Sequence, residues 1–367
     1  MKARAFLGAA HFTAGMGGIA AVARLTAKAL RRWGVEPRLV SLLDEADGEI
    51  EGLAWRTTNA SRLSFAAQCH RAAFGCDRFF YDSVGLARAH PRLPPLAKPY
   101  ALWMHGIEVW RSLHQDRERA LRGANLVLVN SAATLETFRE RHGDLPSARV
   151  CWLGTEEDEP PPSLPSFDGP PTVLALGRVV LGTLYKGHQE LIACWPDVVA
   201  AAPGARLVIA GGGDGVEHVR SLAAASPAAA SIEVTGFVPQ DSLPALWRSA
   251  TALALPSRNE GFGLVYIEAM RRGLPVIASV HDAGREVNVD GETGFNVDLD
   301  APGMREGALA EALIRLVADP DLAQRMGLAG QARWATHFRF SAFEARFRDI
   351  VAPFLESGSG VTKGGAR

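Results

Sequence analysis

The chain has 367 residues, too many for one ordinary hydrophobic core and enough for two domains of typical size. Its composition, 47% hydrophobic and 22% charged, is that of a folded globular protein, and four cysteines (Cys69, Cys76, Cys151, Cys194) without paired spacing exclude a disulfide scaffold and leave reduced thiols as the expectation. The formal charge of −1 hides an asymmetry: residues 1–150 carry 21 Lys and Arg against 14 Asp and Glu, the remainder 18 against 26, so the N-terminal half either faces an anionic partner or is simply solvated.

No apolar run approaches the roughly 20 residues of a membrane span. The opening segment runs straight into His11 and a glycine loop, which reads as a first buried strand, Ala3 to Ala9, rather than a signal peptide. The expected location is cytoplasmic. Gly15-Met16-Gly17-Gly18 follows as a loop, and Ile19 to Trp33 as an amphipathic helix, so strand, glycine loop and helix open a doubly wound α/β domain. The glycines lack G-x-G-x-x-G spacing, which disfavours a dinucleotide site. Arg24, Lys28, Arg31, Arg32 and Trp33 lie on or near one helix and suit either docking to an anionic membrane or ordinary solvation.

Further strands are expected at Pro37 to Leu42, Arg78 to Tyr81, Tyr100 to Met104 and Asn125 to Asn130. His105-Gly106 leaves the C-terminal end of one of them, the edge where α/β sheets bind ligands; Glu108 reads as an acceptor-side or structural residue. Ser131 or Asn130 caps a helix from Ala132 to Arg141. The acidic, proline-rich run from Glu156 to Pro171 reads as an interdomain linker.

Thr172 to Leu176 restarts the pattern as a strand. Arg178 and Lys186 follow it, separated by a flexible Leu-Gly-Thr segment, and two such cations can converge on a diphosphate, arginine as a fork and lysine as a point charge. Arg206 to Ala210 leads into Gly211-Gly212-Gly213, again without dinucleotide spacing, and Ile232 to Thr235 into Gly236-Phe237-Val238. A helix capped near Asp241 follows.

After the apolar run Thr251 to Leu255 comes a glycine loop, Glu260-Gly261-Phe262-Gly263, and then helical spacing at Leu264, Ile267 and Met270 until Gly273 and Pro275. A helix entered through glycines presents backbone N–H groups and a positive dipole end to an anion. Glu260 and Glu268 bracket that start, up to about 12 Å apart at about 1.5 Å per residue. Val276 to Ser279 is a strand; Asp290 to Phe295 reads as a hairpin-like connection, and Asp298-Leu299-Asp300 as a turn rather than a metal motif. Met304 to Leu355 is helical by pattern, its last helix carrying Phe338, Phe340, Phe343, Phe347 and Phe354, and Ser357 to Arg367 is a flexible tail.

The stretch from Glu260 to Ala278, two glutamates with seven residues between them inside Glu-Gly-Phe-Gly-Leu-Val and followed by Gly-Leu-Pro-Val-Ile-Ala, resembles the signature of the retaining glycosyltransferases of family 4, bacterial cell-surface polysaccharide type. The resemblance implies a GT-B fold: two Rossmann-like doubly wound α/β domains facing a central cleft, here 1–155 and 172–337, joined by a linker at 156–171, with a C-terminal helix at 338–356 returning towards the first domain and a tail at 357–367. It implies transfer of a hexosyl group from a UDP- or GDP-sugar to a glycan or lipid-linked saccharide, with retention and without a metal or other cofactor, in surface polysaccharide biosynthesis.

Carried over residue by residue, the resemblance assigns Glu260 and His105 to the transferred sugar, Arg178 and Lys186 to the diphosphate, and Glu268 to the ribose. Gly17 and Gly18 would lie against the diphosphate, Gly261, Phe262, Gly263 and Leu264 along the donor, and Gly236, Phe237 and Val238 along the base, core packing being the rival for the last two. No nucleic acid is expected as partner; peripheral contact with the inner face of a membrane is. The alternatives are a nucleotide-sugar epimerase, which would need no acceptor, a natural-product glycosyltransferase, a catalytically dead carbohydrate-binding homologue and an NAD-dependent oxidoreductase. The last two are disfavoured by the complete residue set and by the glycine spacings.

Overall fold

Short apolar runs bounded by glycine and polar residues become the strands of two largely parallel sheets, buried on both faces as such sheets must be. The computed structural model describes residues 4–106, 110, 112–300 and 305–356. Glu108, Met304 and the tail from Ser357 lie outside them. The chain divides into two compact units, Met1–Glu156 with Phe340–Arg367, and Glu157–Arg339.

Unit 1 holds eight strands: β1 (Ala5–Ala9), β2 (Arg38–Ser41), β3 (Gly48–Ile50), β4 (Leu53–Thr57), β5 (Arg78–Tyr81), β6 (Tyr100–Met104), β7 (Leu126–Val129) and β8 (Ala148–Val150). Their order is β3-β4-β2-β1-β5-β6-β7-β8, parallel except for the β3–β4 hairpin. The sheet runs outward from β1 in both directions, so the crevice between β1 and β5 is its topological switch point. The helix Gly18–Arg32 starts beyond β1, and Ser131 caps Ala132–His142 by accepting the Thr134 amide at 3.1 Å.

The last helix, Phe340–Glu356, belongs to unit 1. Phe343 and Phe347 stack on Trp103, Phe354 meets Phe80 edge-on at 5.4 Å, and Arg346 donates to the Trp152 carbonyl. Phe338, expected on this helix, instead lies in unit 2 against Phe262.

Unit 2 is a six-stranded, wholly parallel sheet of β9 (Thr172–Leu176), β10 (Arg206–Ala210), β11 (Ile232–Gly236), β12 (Ala252–Ala254), β13 (Val276–Ser279) and β14 (Gly294–Val297), in the order β11-β10-β9-β12-β13-β14. Its switch point lies between β9 and β12. The expected hairpin at Asp290 to Phe295 is corrected here: β14 pairs in parallel with β13, and the turn residues only deliver the chain to it. Near Asp241 there is a 3-10 turn, Gln240–Ser242, before the helix Leu243–Ser249, and no side chain caps that helix.

Candidate active site

The loops after β9 and β12 leave the C-terminal edge of unit 2 on either side of its switch point, where open α/β sheets bind ligands. Arg178 follows β9, is exposed, and has no ion-pair partner among the described residues. The segment after it is a 3-10 turn, Leu181–Lys186, at whose end the Lys186 Nζ sits 2.7 Å from Glu260 Oε2. Both side chains are about four-fifths buried, with 18% and 20% exposed. Gly187 then begins the helix His188–Ala201 with φ 85° and lies against Pro256, where a Cβ would come within 2.6 Å of the proline ring. Only glycine permits both that φ and that approach.

Glu260 is held by its backbone. Its amide donates to Asp282 Oδ2 at 2.7 Å, its carbonyl accepts the Ala283 amide, and the other Asp282 oxygen accepts the Gly284 amide at 2.8 Å. Burial pushes the Asp282 carboxyl up to about 7, against the two amides and nearby Lys186, which favour its charged form. Gly263 starts the helix Leu264–Arg271 in a left-handed conformation, φ 88°, with no side chain capping that end. Tyr266 packs directly over Gly263 and donates its hydroxyl to the Leu255 carbonyl at 2.7 Å, which locks the turn. The result is a fixed helix start of the kind that accepts an anion. Glu268 lies on this helix, half-buried, and its carbonyl accepts from Arg272.

Among the expected donor residues, Phe262 has its ring in the core, 6.0 Å from Phe338, so only its backbone is available to a ligand. Phe237 is 76% exposed, which removes core packing as its explanation; Val238 is half-buried. Gly236 ends β11 at φ 74°, and its carbonyl accepts the Gly211 amide. Gly261 is buried beside Glu260.

Unit 1 carries the rest of the expected residues. Gly17, φ 93°, precedes the Gly18–Arg32 helix without a side-chain cap; both glycines are exposed, and nothing lies within 4 Å of a Cβ at Gly17. His105 is buried, and its Nε2 lies 2.6 Å from the Asp82 carbonyl. A carbonyl only accepts, so Nε2 carries the proton. Asp82 in turn accepts the Ala10 amide and the Ser83 hydroxyl, which ties together the ends of β1, β5 and β6.

Sequence reasoning missed Asp82 and Asp282. Asp82 directly follows β5 and Asp282 lies three residues past β13, and that position at the C-terminal end of a strand was their only local signal. The cations of the Gly18–Arg32 helix need a correction as a membrane face. Arg24 pairs with Glu156, Lys28 with Glu51 and Arg31 with Glu36, while Arg32 lies over the Phe340 ring and near Glu344. Their charge is spent within unit 1. Asp298 and Asp300 take His281 and Arg258 as partners.

Residues 156–333 match the family model of glycosyl transferases group 1. The GDP-mannose-dependent alpha-(1-6)-phosphatidylinositol monomannoside mannosyltransferase of Mycobacterium tuberculosis is 31% identical over 267 residues, 67% of this chain and 68% of that protein. The chain belongs to the glycosyl transferases group 1. A group 1 relative of the same description in Mycolicibacterium smegmatis is 32% identical over 271 residues, 68% of either chain. Among solved structures, HepE of Anabaena in complex with UDP and glucose superposes with TM-score 0.78 at 19% identity, over 96% of this chain and all of that one. Sucrose-phosphate synthase of Thermosynechococcus elongatus gives 0.80 at 21%, over 96% and 99%. At such identities these two speak for the fold, which is GT-B. This group 1 chain is therefore a nucleotide-sugar glycosyltransferase, and the epimerase alternative has no support. No described helix is long and apolar enough to cross a membrane.

Proposed function

We propose that this group 1 glycosyltransferase is a retaining, metal-independent mannosyltransferase that takes GDP-mannose and glycosylates a lipid-linked saccharide at the inner face of a membrane. The observation that carries the reading is the Lys186–Glu260 pair, 2.7 Å apart at the switch point of unit 2, in which Lys186 comes from the same post-β9 loop as the exposed Arg178. An ammonium has three donors, so Lys186 can keep Glu260 and still meet a phosphate. A carboxylate for sugar hydroxyls and a cation for the leaving diphosphate then stand next to each other. GDP-mannose and the lipid acceptor are supported by what the mycobacterial relatives are described as using.

When the bond from the anomeric carbon to the diphosphate breaks, its electron pair goes to the phosphate oxygen. In this reading Arg178, Lys186 and the amides at Gly263 and Leu264 receive that charge. The acceptor oxygen attacks the same face, and its proton passes to the departing phosphate. A double displacement would need a carboxylate free to bond the sugar, whereas Glu260 is held by Lys186. Glu268 is assigned to the ribose and Phe237 to the base; in unit 1, Gly17 and Gly18 are assigned to an anion and His105 to a sugar hydroxyl.

Calorimetric titration with GDP, UDP, GDP-mannose and UDP-glucose, with and without EDTA, tests the reading, together with NMR of the product's anomeric proton. Tight GDP binding that ignores EDTA, with an α product, is expected. Preference for UDP would favour a second reading, a UDP-sugar donor as in the HepE complex; an inverted product or loss of turnover in EDTA would overturn the mechanism.

A further inference from the structure

The edge of unit 1 away from His105 carries a cavity of about 410 Å³, lined at the starts of β6 and β7 by His90, Arg92, Lys98, Tyr100, Arg119 and Asn125 among others. Its wall is rigid. His90 Nε2 lies 2.9 Å from the Lys98 carbonyl and so donates to it, leaving Nδ1 to accept from the Tyr81 hydroxyl at 3.0 Å. Tyr100 donates to the Ala120 carbonyl at 2.6 Å, and Asn125 accepts the Tyr100 amide. The opening carries Arg92, Lys98 and Arg119, with no Asp or Glu in the lining, and none of the three has an ion-pair partner among the described residues. They differ in this from the cations of the Gly18–Arg32 helix, each of which has a carboxylate or a ring beside it. Leu93, between Arg92 and Lys98 in the sequence, is 78% exposed.

Three uncompensated cations around a pocket of ligand size form an anion site. An adjacent exposed leucine is the pattern of a surface that meets a bilayer, with charge on the headgroups and an apolar side chain in the acyl boundary. We propose that Arg92, Lys98 and Arg119 bind the phosphate of an anionic lipid headgroup, with Leu93 entering the membrane interface, and that this edge of unit 1 is the enzyme's membrane-docking surface. The site uses no residue assigned to the donor, so it stands or falls separately from the donor reading.

The test is co-sedimentation of the full chain with vesicles of phosphatidylcholine alone and of phosphatidylcholine mixed with phosphatidylglycerol. The wild type should bind the mixed vesicles only, and added salt should weaken binding. Each cation near an anionic surface contributes about fivefold, so Arg92→Ala, Lys98→Ala and Arg119→Ala together should cost on the order of a hundredfold. Leu93→Ser should weaken binding at unchanged salt dependence, and Arg325→Ala, an exposed cation of unit 2, should change nothing. A circular dichroism spectrum and a melting temperature like those of the wild type, in every variant, show that they fold. Unchanged vesicle binding in the triple variant, or no binding by the wild type, overturns the proposal. Inorganic phosphate bound at the cavity by a protein that ignores the vesicles overturns it as well, since the anion is then a soluble one.

Discussion

At the scale of single residues, the site depends on charges that touch. Lys186 and Glu260 are brought together across 74 positions of sequence. Lys186→Ala and Arg178→Ala should each lower kcat by on the order of 10²-fold or more, since the proposed mechanism gives each the developing charge on the leaving diphosphate; steady-state kinetics with saturating donor measures it. Asp282 supplies a prediction of a different kind. Its carboxyl is raised from 3.8 to about 7, so the folded chain holds this proton more tightly than the unfolded one. The stability it contributes is complete below pH 3.8 and is lost as pH rises to about 7. In Asp282→Asn only one oxygen remains for the two amides of Glu260 and Gly284, so the variant should be less stable at low pH and its melting temperature should fall less over that window. Parallel melting curves for the two proteins would remove Asp282 from this role.

At the scale of elements, the strands buried on both faces were legible because a parallel sheet between helices demands short, continuous apolar runs, as in Thr172–Leu176 or Arg206–Ala210. The Glu260-to-Glu268 stretch was legible for a similar reason, since Gly263 is imposed by a left-handed φ and by the Tyr266 ring. The β3–β4 hairpin was not, because Gly-Glu-Ile at its edge is short and half-exposed and carries no pattern. β14 was masked by the turn residues before it. The Gly18–Arg32 helix misled because its partners Glu51 and Glu156 lie far along the chain, where no local reading finds them. His188, at the start of the His188–Ala201 helix, adds a prediction of its own. It is fully buried, neither ring nitrogen has a hydrogen-bond partner among the described residues, and burial, helped by Lys186, pushes its pKa down to about 4. Stability is full above 6.5 and is lost as pH falls towards about 4. His188→Leu should leave stability near neutrality unimpaired and blunt the acid loss, as thermal melts at the two pH values would show.

At the scale of the whole molecule, each unit has a hydrophobic core of its own. One gathers Trp195, Leu207 and Leu313 in unit 2, the other Phe6, Phe79 and Phe138 in unit 1. Unit 2 is continuous in sequence, so residues 157–339 expressed alone should fold and bind GDP, as circular dichroism and calorimetry would show. Unit 1 is not continuous. Without Phe340–Glu356 the rings of Phe80 and Trp103 lose their cover, so 1–156 alone should aggregate or stay partly unfolded. Within the full chain, Phe347→Ala should cost about 3–5 kcal/mol in denaturant melts. The same wiring sets a schedule at the ribosome. The half that is made first is finished last: it emerges with a vacant groove and must wait for the entire second body to be synthesised before the closing helix arrives. Throughout that interval its apolar face is open to chaperones or to neighbouring nascent chains.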